Sequence, residues 1–149
     1  IDPLVRHSDH ILPWEHKGET ALTLGTAMND TIEKLAGVIN IGPFGCMPVR
    51  FTEALMVPEM NIKNKKEAKR RFDAGYDLPE YFKDSMSIPF LSIETDGNVY
   101  PQIIESRFET FTMQAERMAE LMKRYRSENG NGKAGKGKRA RKEIKVSTR

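Results

Sequence analysis

Apolar positions repeat most regularly in the last third of the chain. Ile104, Phe108, Phe111, Ala115, Met118, Met122 and Tyr125 step alternately by four and three residues, an unbroken seam that predicts one long amphipathic helix. Phe108 and Phe111 are expected in the core, and Met118, Met122 and Tyr125 are expected further along, past the sheet, covering either the domain's own edge or a neighbouring domain. A second helical stripe starts at Gly18, with Leu22, Leu24, Ala27, Met28, Ile32 and Leu35, and Gly37 is placed as its left-handed cap. Val38-Ile39-Asn40-Ile41 follows at once, a β-branched run of the kind buried in parallel sheets. Pro48 suits the first turn of a further helix, with Phe51, Ala54 and Leu55 on its buried side and Pro58 at its end.

Residues 59–85 are charged and uneven. Ala68, Phe72 and Tyr76, spaced by four, predict one surface helix there, on a crossover between core elements. Ile88–Ile93 is the second strand, ending in Glu94, Asp96 and Gly97. Helix, strand, helix, helix, strand, helix is the order of a layered βαβ-type domain. The expected fold is α/β in three layers on a mostly parallel sheet, Rossmann- or flavodoxin-like, with its two strands parallel and adjacent or nearly so. Two strands make an incomplete sheet, and the opening Ile1-Asp2-Pro3 reads as the middle of a longer protein. The organisation expected is an incoming loop over 1–17, an α/β domain over 18–126 and a basic tail over 127–149.

Charge changes the picture only at that tail. The chain carries a formal +3 in 149 residues, but the tail holds eight Lys/Arg against two Glu, and residues 1–126 hold 16 basic against 19 acidic side chains. The basic pI is thus no sign of a basic face on the folded part. The tail is Gly- and Lys-rich with no apolar pattern and is expected to be disordered. It would hold a polyanion weakly and in a salt-dependent way, and it interleaves no aromatic for base stacking, so nucleic acid is not expected as a partner. No apolar run approaches the ~18 residues of a membrane span. A single cysteine excludes an internal disulfide and gives no sign of an oxidising compartment, so the cytoplasm is expected.

That cysteine, Cys46, lies in "GVINIGPFGCMPVRF", just past the carboxyl end of the first strand and just before a helix. Ligands of open α/β sheets bind at such places, and unpaired amides with the helix dipole favour a thiolate there. Gly42 and Gly45 would let the backbone approach a bound group closely. A small buried Cys in a turn is the alternative reading. No base is placed beside the thiol, because the three histidines, His7, His10 and His16, all sit near the start. Their spacing matches no metal-ligand pattern, and a polar loop accounts for them. Glu94 and Asp96 read either as acid/base groups or as a solvated turn. Glu105, Arg107 and Glu109 read as a charged helix face, and no catalytic residue is assigned.

Two blocks, "GVINIGPFGCMPVR" and "IPFLSIETDGNVYPQIIESRFETFTMQAER", together resemble the carboxyl-terminal part of CoA-substrate-specific enzyme activases, proteins related to the activators of 2-hydroxyacyl-CoA dehydratases. The likeness rests on the Pro-Phe-Gly-Cys-Met-Pro turn, the strand ending in an acidic residue and Asp-Gly, and the helix with Glu105, Arg107-Phe108-Glu109 and Gln114-Ala115-Glu116-Arg117. It runs from about Gly18 to Tyr125. The resemblance implies a domain similar to the iron–sulfur subunits of those dehydratases. ATP hydrolysis in an associated activase domain there drives low-potential electron transfer. By position Cys46 would be a thiolate ligand to iron in a [4Fe–4S]-type cluster, beside Gly42 and Gly45. The chain departs from the full pattern in lacking the other cysteine ligands and any glycine-rich phosphate loop. Alone it is expected to bind neither a complete cluster nor ATP. Its expected partners are the remainder of a parent protein, a dehydratase subunit or a second copy of itself.

Overall fold

The computed structural model describes residues 5–13, 19–95, 97 and 101–144, the side chains of 101 and 130–144 excepted. Its elements are a short 3-10 turn Arg6–Ser8, α1 (Glu19–Asp30), β1 (Val38–Pro43), α2 (Met47–Glu59), α3 (Ile62–Arg70), β2 (Phe90–Thr95) and α4 (Pro101–Ile144). The fold is α/β on a two-stranded parallel sheet. β1 and β2 pair directly and in register from Val38 opposite Phe90 to Pro43 opposite Thr95. The crossover reading of the charged middle is thus correct, because a parallel pair needs a long return and residues 44–89 supply it.

Several local expectations are corrected. α1 stops at Asp30 rather than running to Gly37. The reversal is made by Ile32, which takes φ 74° and whose amide donates to the Leu35 carbonyl at 2.8 Å. Gly37 has no left-handed backbone. It is small because a Cβ there would meet Pro89 Cβ at 2.9 Å and Phe111 Cε2 at 3.0 Å. On α2 the buried side chains are Thr52 and Met56, with Leu55 packed beside them, while Phe51 and Ala54 face solvent. Threonine on the inner face lets α2 approach α1 closely, and Thr20 Oγ1 donates to the Pro48 carbonyl at 3.4 Å. α3 is started by Asn61, whose side chain accepts from the Asn64 amide at 2.9 Å. Its buried stripe is Ile62, Lys65 and Ala68, spaced by three, whereas Phe72 and Tyr76 lie beyond its end.

The leading segment is more than a polar loop over its described part. Ser8 and Leu12 are buried, and the Ser8 hydroxyl donates to the Ala21 carbonyl at 3.2 Å. At the other end α4 extends to Ile144, beyond Arg126, where the sequence pattern placed a tail without structure. The reason for that ending was the loss of apolar positions after Tyr125, which removes packing but does not itself stop a helical backbone.

The long seam is buried in the opposite sense to the one expected. Met118 and Met122 are 2% and 4% exposed and belong to the central cluster with Leu24, Met28, Ile62 and Phe82, whereas Phe108 is 48% exposed. The carboxyl-terminal half of the seam therefore covers the core formed by α1, α3 and the loop before β2. Its amino-terminal half lies by β2, where Arg107 donates to the Ser92 carbonyl at 2.8 Å. Flexible methionines fill that irregular core as well as aromatics would.

One cation is built into the interior. The Lys65 side chain is 0% exposed, and its ammonium donates to the Met28 and Asn29 carbonyls at the end of α1 and pairs with Glu33 Oε2 at 2.9 Å. Glu33 Oε1 accepts from the Tyr76 hydroxyl at 2.8 Å, and Lys69 donates to Asn29 Oδ1 at 2.7 Å. Burial lowers the Lys65 pKa from 10.5 to about 8 against the opposing pull of Glu33, and burial with the Glu33 charge raises that of Tyr76.

Two outcomes follow for stability. Met122→Ala should cost about 2–5 kcal/mol in a denaturant titration, and Phe108→Ala about 1 kcal/mol or less, because only the first opens a cavity in a closed core. Between pH 8 and 10.5 the unfolded chain binds a proton at Lys65 that the folded chain has lost, so stability should rise with pH there. The gain should be about 1–3 kcal/mol up to the point near pH 10 where Tyr76 begins to ionise in the unfolded chain. Urea midpoints for the native protein and Lys65→Met test this: a rise that persists in Lys65→Met would remove Lys65 as its source.

Candidate functional site

β1 ends at Pro43, and the chain turns to α2 within three residues. The Phe44 amide donates to the Thr95 carbonyl at 3.0 Å, which carries the sheet one residue further, and the Cys46 amide donates back to the Pro43 carbonyl at 3.0 Å. Gly45 sits between them at φ 75°, a backbone that costs a side chain about 1 kcal/mol or more, and a Cβ there would meet nothing within 4 Å. Cys46 is then the N-cap of α2, with φ −65° and ψ 113°. Its carbonyl accepts from the Arg50 amide at 3.0 Å. Its thiol makes no capping hydrogen bond and is a free, half-exposed cysteine. Pro48 stands in the first turn, where its missing N–H is no loss.

Gly42 and Gly45 prove to have different uses. A Cβ on Gly42 would collide with Val49 Cγ2, so the first glycine lets α2 lie against β1 and leaves no room for a bound group. Of the two, Gly45 is the one that adjoins open space. Asn40 ties the same contact together, its amide donating to the Val49 carbonyl at 3.1 Å and to the Ser92 hydroxyl at 3.2 Å. Across the sheet end Arg50 Nε pairs with Glu94 Oε1 at 2.7 Å, and the Arg50 guanidinium lies 5.8 Å from the Phe44 ring centre. Glu94 is thereby neutralised in an ion pair with its side chain 11% exposed, which disfavours its reading as a solvated turn residue. Asp96 lies outside the described residues. Around the thiol Ile41, Phe44 and Met47 are 62%, 70% and 79% exposed, an apolar rim on a turn that is otherwise closed by main-chain bonds.

The remaining candidates pack elsewhere for structural reasons. His7 stacks on Phe72 with ring centres 4.2 Å apart, His10 lies 3.8 Å from Glu59, and His16 falls outside the described residues. No group of three or more His, Cys, Asp or Glu side chains placed to hold a metal occurs among the described residues. Arg107, read as part of a charged face, holds the Ser92 carbonyl, while Glu105 and Glu109 are exposed. The group formed by buried Lys65 with the partly exposed Glu33 and Tyr76 escaped sequence reading. Its signal was present in the spacing, since Lys65 falls midway between the apolar Ile62 and Ala68 on one helix stripe.

No family model, no curated protein and no solved structure matches this chain. No helix among the described residues is long and apolar enough to cross a membrane.

The two glycines should respond differently to alanine. Gly42→Ala should destabilise the protein by about 1–3 kcal/mol through overpacking, and Val49→Ala in the same chain should restore part of the loss. Gly45→Ala should cost only its backbone strain, about 1 kcal/mol, with no rescue from Val49→Ala. Thermal or urea melts of the four variants separate the two causes.

Proposed function

We propose that this chain is the cluster-carrying segment of a CoA-substrate-specific activase or 2-hydroxyacyl-CoA dehydratase-like protein, acting in ATP-driven low-potential electron transfer with ATP bound in an associated domain. The observation that carries the reading is the placement of Cys46. A half-exposed, free cysteine whose thiol makes no capping hydrogen bond stands at the N-cap of α2 just past the carboxyl end of a parallel strand, next to the open side of Gly45. The thiolate is the form of a cysteine that ligates iron. A cubane cluster takes about four thiolates, and the described residues offer one. They do not fit a complete cluster, so the other ligands belong to the remainder of the parent protein, a dehydratase subunit or a second copy, and no electron-transfer step is derived from this chain alone. A cytoplasmic location accords with a lone, free thiol.

The same reading takes the fold as three-layered and Rossmann- or flavodoxin-like, with β1 and β2 part of a larger sheet. Support comes from β1: no strand pairs with its outer edge among the described residues, and Ile39 and Ile41 are 37% and 62% exposed on one face. Purely parallel sheets are normally covered on both faces. The alternative is a ligand-binding or interaction module of α/β type in which Cys46 is structural, favoured by the bare Phe44 and Met47 beside it.

Purification of the full-length protein without oxygen distinguishes the two. The cluster reading expects a brown protein with bound iron and acid-labile sulfide, and less of both in Cys46→Ser. Iron content and visible absorption that are the same in Cys46→Ser would overturn the ligand role. Hydrogen exchange at the Ile39 and Ile41 amides tests the sheet, since slow exchange in the full-length protein is expected of an inner strand and fast exchange would leave β1 an edge.

A further inference from the structure

Residues 5–13 form a strap across α1 and α3. Val5 and Ile11 pack against the core, Leu12 enters it, and the Ser8 hydroxyl is tied to the Val5 and Ala21 carbonyls. Two histidines face α3 and its continuation. His7 stacks on Phe72, as described above. The His10 side chain is 16% exposed, and both its ring nitrogens are buried with no hydrogen-bond partner among the described residues. Its Nε2 lies 3.8 Å from Glu59 Oε2, beyond hydrogen-bond reach, and that oxygen already accepts from Asn64 Nδ2 at 2.9 Å.

An imidazole without partners is a poor occupant of such a place. A buried N–H left unpaired costs about 1–3 kcal/mol, whereas an apolar ring of similar size would lose nothing. What histidine adds is a group that takes up a proton near neutrality. We infer that His10 makes the strap acid-sensitive: residues 5–13 stay docked while the ring is uncharged, and its protonation releases them from α1 and α3.

The charges around the ring set the direction. Asp9 from the strap, Glu59 from the end of α2 and Glu67 from α3 favour an imidazolium, and Arg71 at the α3 C-cap opposes it. Burial is the largest effect, Arg71 adds to it, and together they hold the His10 pKa below its ordinary 6.5 against the three carboxylates. A released strap exposes the ring to water, where it binds a proton at the ordinary affinity. The released state therefore gains on the docked one as pH falls through 6.5. What release uncovers is the side of α1 at Ala21, buried in the docked state.

Hydrogen exchange of the intact chain, expressed as protection factors to remove the intrinsic pH dependence, tests this directly. Protection over residues 5–13 should fall by up to about tenfold between about pH 7.5 and pH 5.5, while that over residues 118–125 changes less than twofold. His10→Phe should abolish the pH dependence, and His7→Phe should leave it in place. His10→Gln serves the same purpose should the larger ring fail to fold, because it keeps a polar side chain that does not titrate. Unchanged protection over 5–13, an equal loss over 118–125, or a pH dependence that survives in the His10 variants would each overturn the inference.

Discussion

The ammonium of Lys65 at the end of α1 is the interaction on which the rest of the structure depends. A helix leaves its last carbonyls unpaired, and a cation there also meets the negative end of the helix dipole. Lys65 answers both needs for α1 from the neighbouring helix α3, and through Glu33 it fixes the loop that follows. Arg126 on α4 holds the same loop from outside, donating to the Glu33 carbonyl at 2.9 Å. With α3 and α4 both bonded to residues 28–33, the chain can sustain Ile32 at a positive φ, a conformation a β-branched residue does not adopt unaided. The reversal at Ile32 in turn leads the chain into β1, so the buried Lys65 side chain and the start of the sheet are joined through one short loop.

From that start the position of Cys46 follows by short steps. β1 has no side chain at Gly42, which lets Val49 of α2 come down onto the strand. Asn40 closes the contact by bonding to both α2 and β2, and the Arg50–Glu94 pair closes it at the sheet end. Each of these links joins α2 to a strand within a few residues of the thiol. The turn between them is therefore determined on both sides, and only Gly45 has to adopt an unusual backbone to complete it.

Much of this was legible in the residues, and the misses share a cause. The β-branched run before Gly42 and Pro43 marked the first strand, and Pro48 marked the start of α2. The apolar run from Ile88 marked the second strand, although it is shifted two residues on to Phe90–Thr95. The charged middle read correctly as a crossover from its place between core elements. Helix faces were less legible. On α2 the pattern pointed to Phe51 and the structure buries Thr52 and Met56, and on α4 it pointed to the phenylalanines and the structure buries the methionines. Hydrophobicity ranks side chains one by one, whereas burial depends on which part of a helix lies over the core. Gly37 misled for a related reason. Its position after a helix implied a cap, yet the need for a small residue came from Pro89 and Phe111, distant in sequence. For Lys65 the spacing between Ile62 and Ala68 signalled a place on the buried stripe, but nothing in a charged segment says that its partners are main-chain carbonyls. At the candidate site Cys46 and the freedom of Gly45 were legible, but the second role of Gly42 was not, because it belongs to Val49.

The two edges of the sheet are treated differently, and the difference bears on the site. An exposed strand edge offers unpaired amides and carbonyls to any passing strand, and folded proteins cover or obstruct such edges. β2 is obstructed, because Arg107 of α4 occupies the Ser92 carbonyl. β1 has no comparable guard among the described residues, and the side chains it leaves bare, Ile39 and Ile41, are the apolar kind that a guarded edge would replace with charge. The hydrogen bonds from Val38 to Pro89 and from Phe44 to Thr95 show which residues of β1 face β2; by the alternation of a parallel ladder, Ile39 and Ile41 turn their main-chain groups the other way. Bare side chains, unguarded main chain and the apolar rim of the Cys46 turn all belong to one strand and its end. Among the described residues Arg107 guards the β2 edge and the Arg50–Glu94 pair guards the sheet end, and the β1 edge is the one left open.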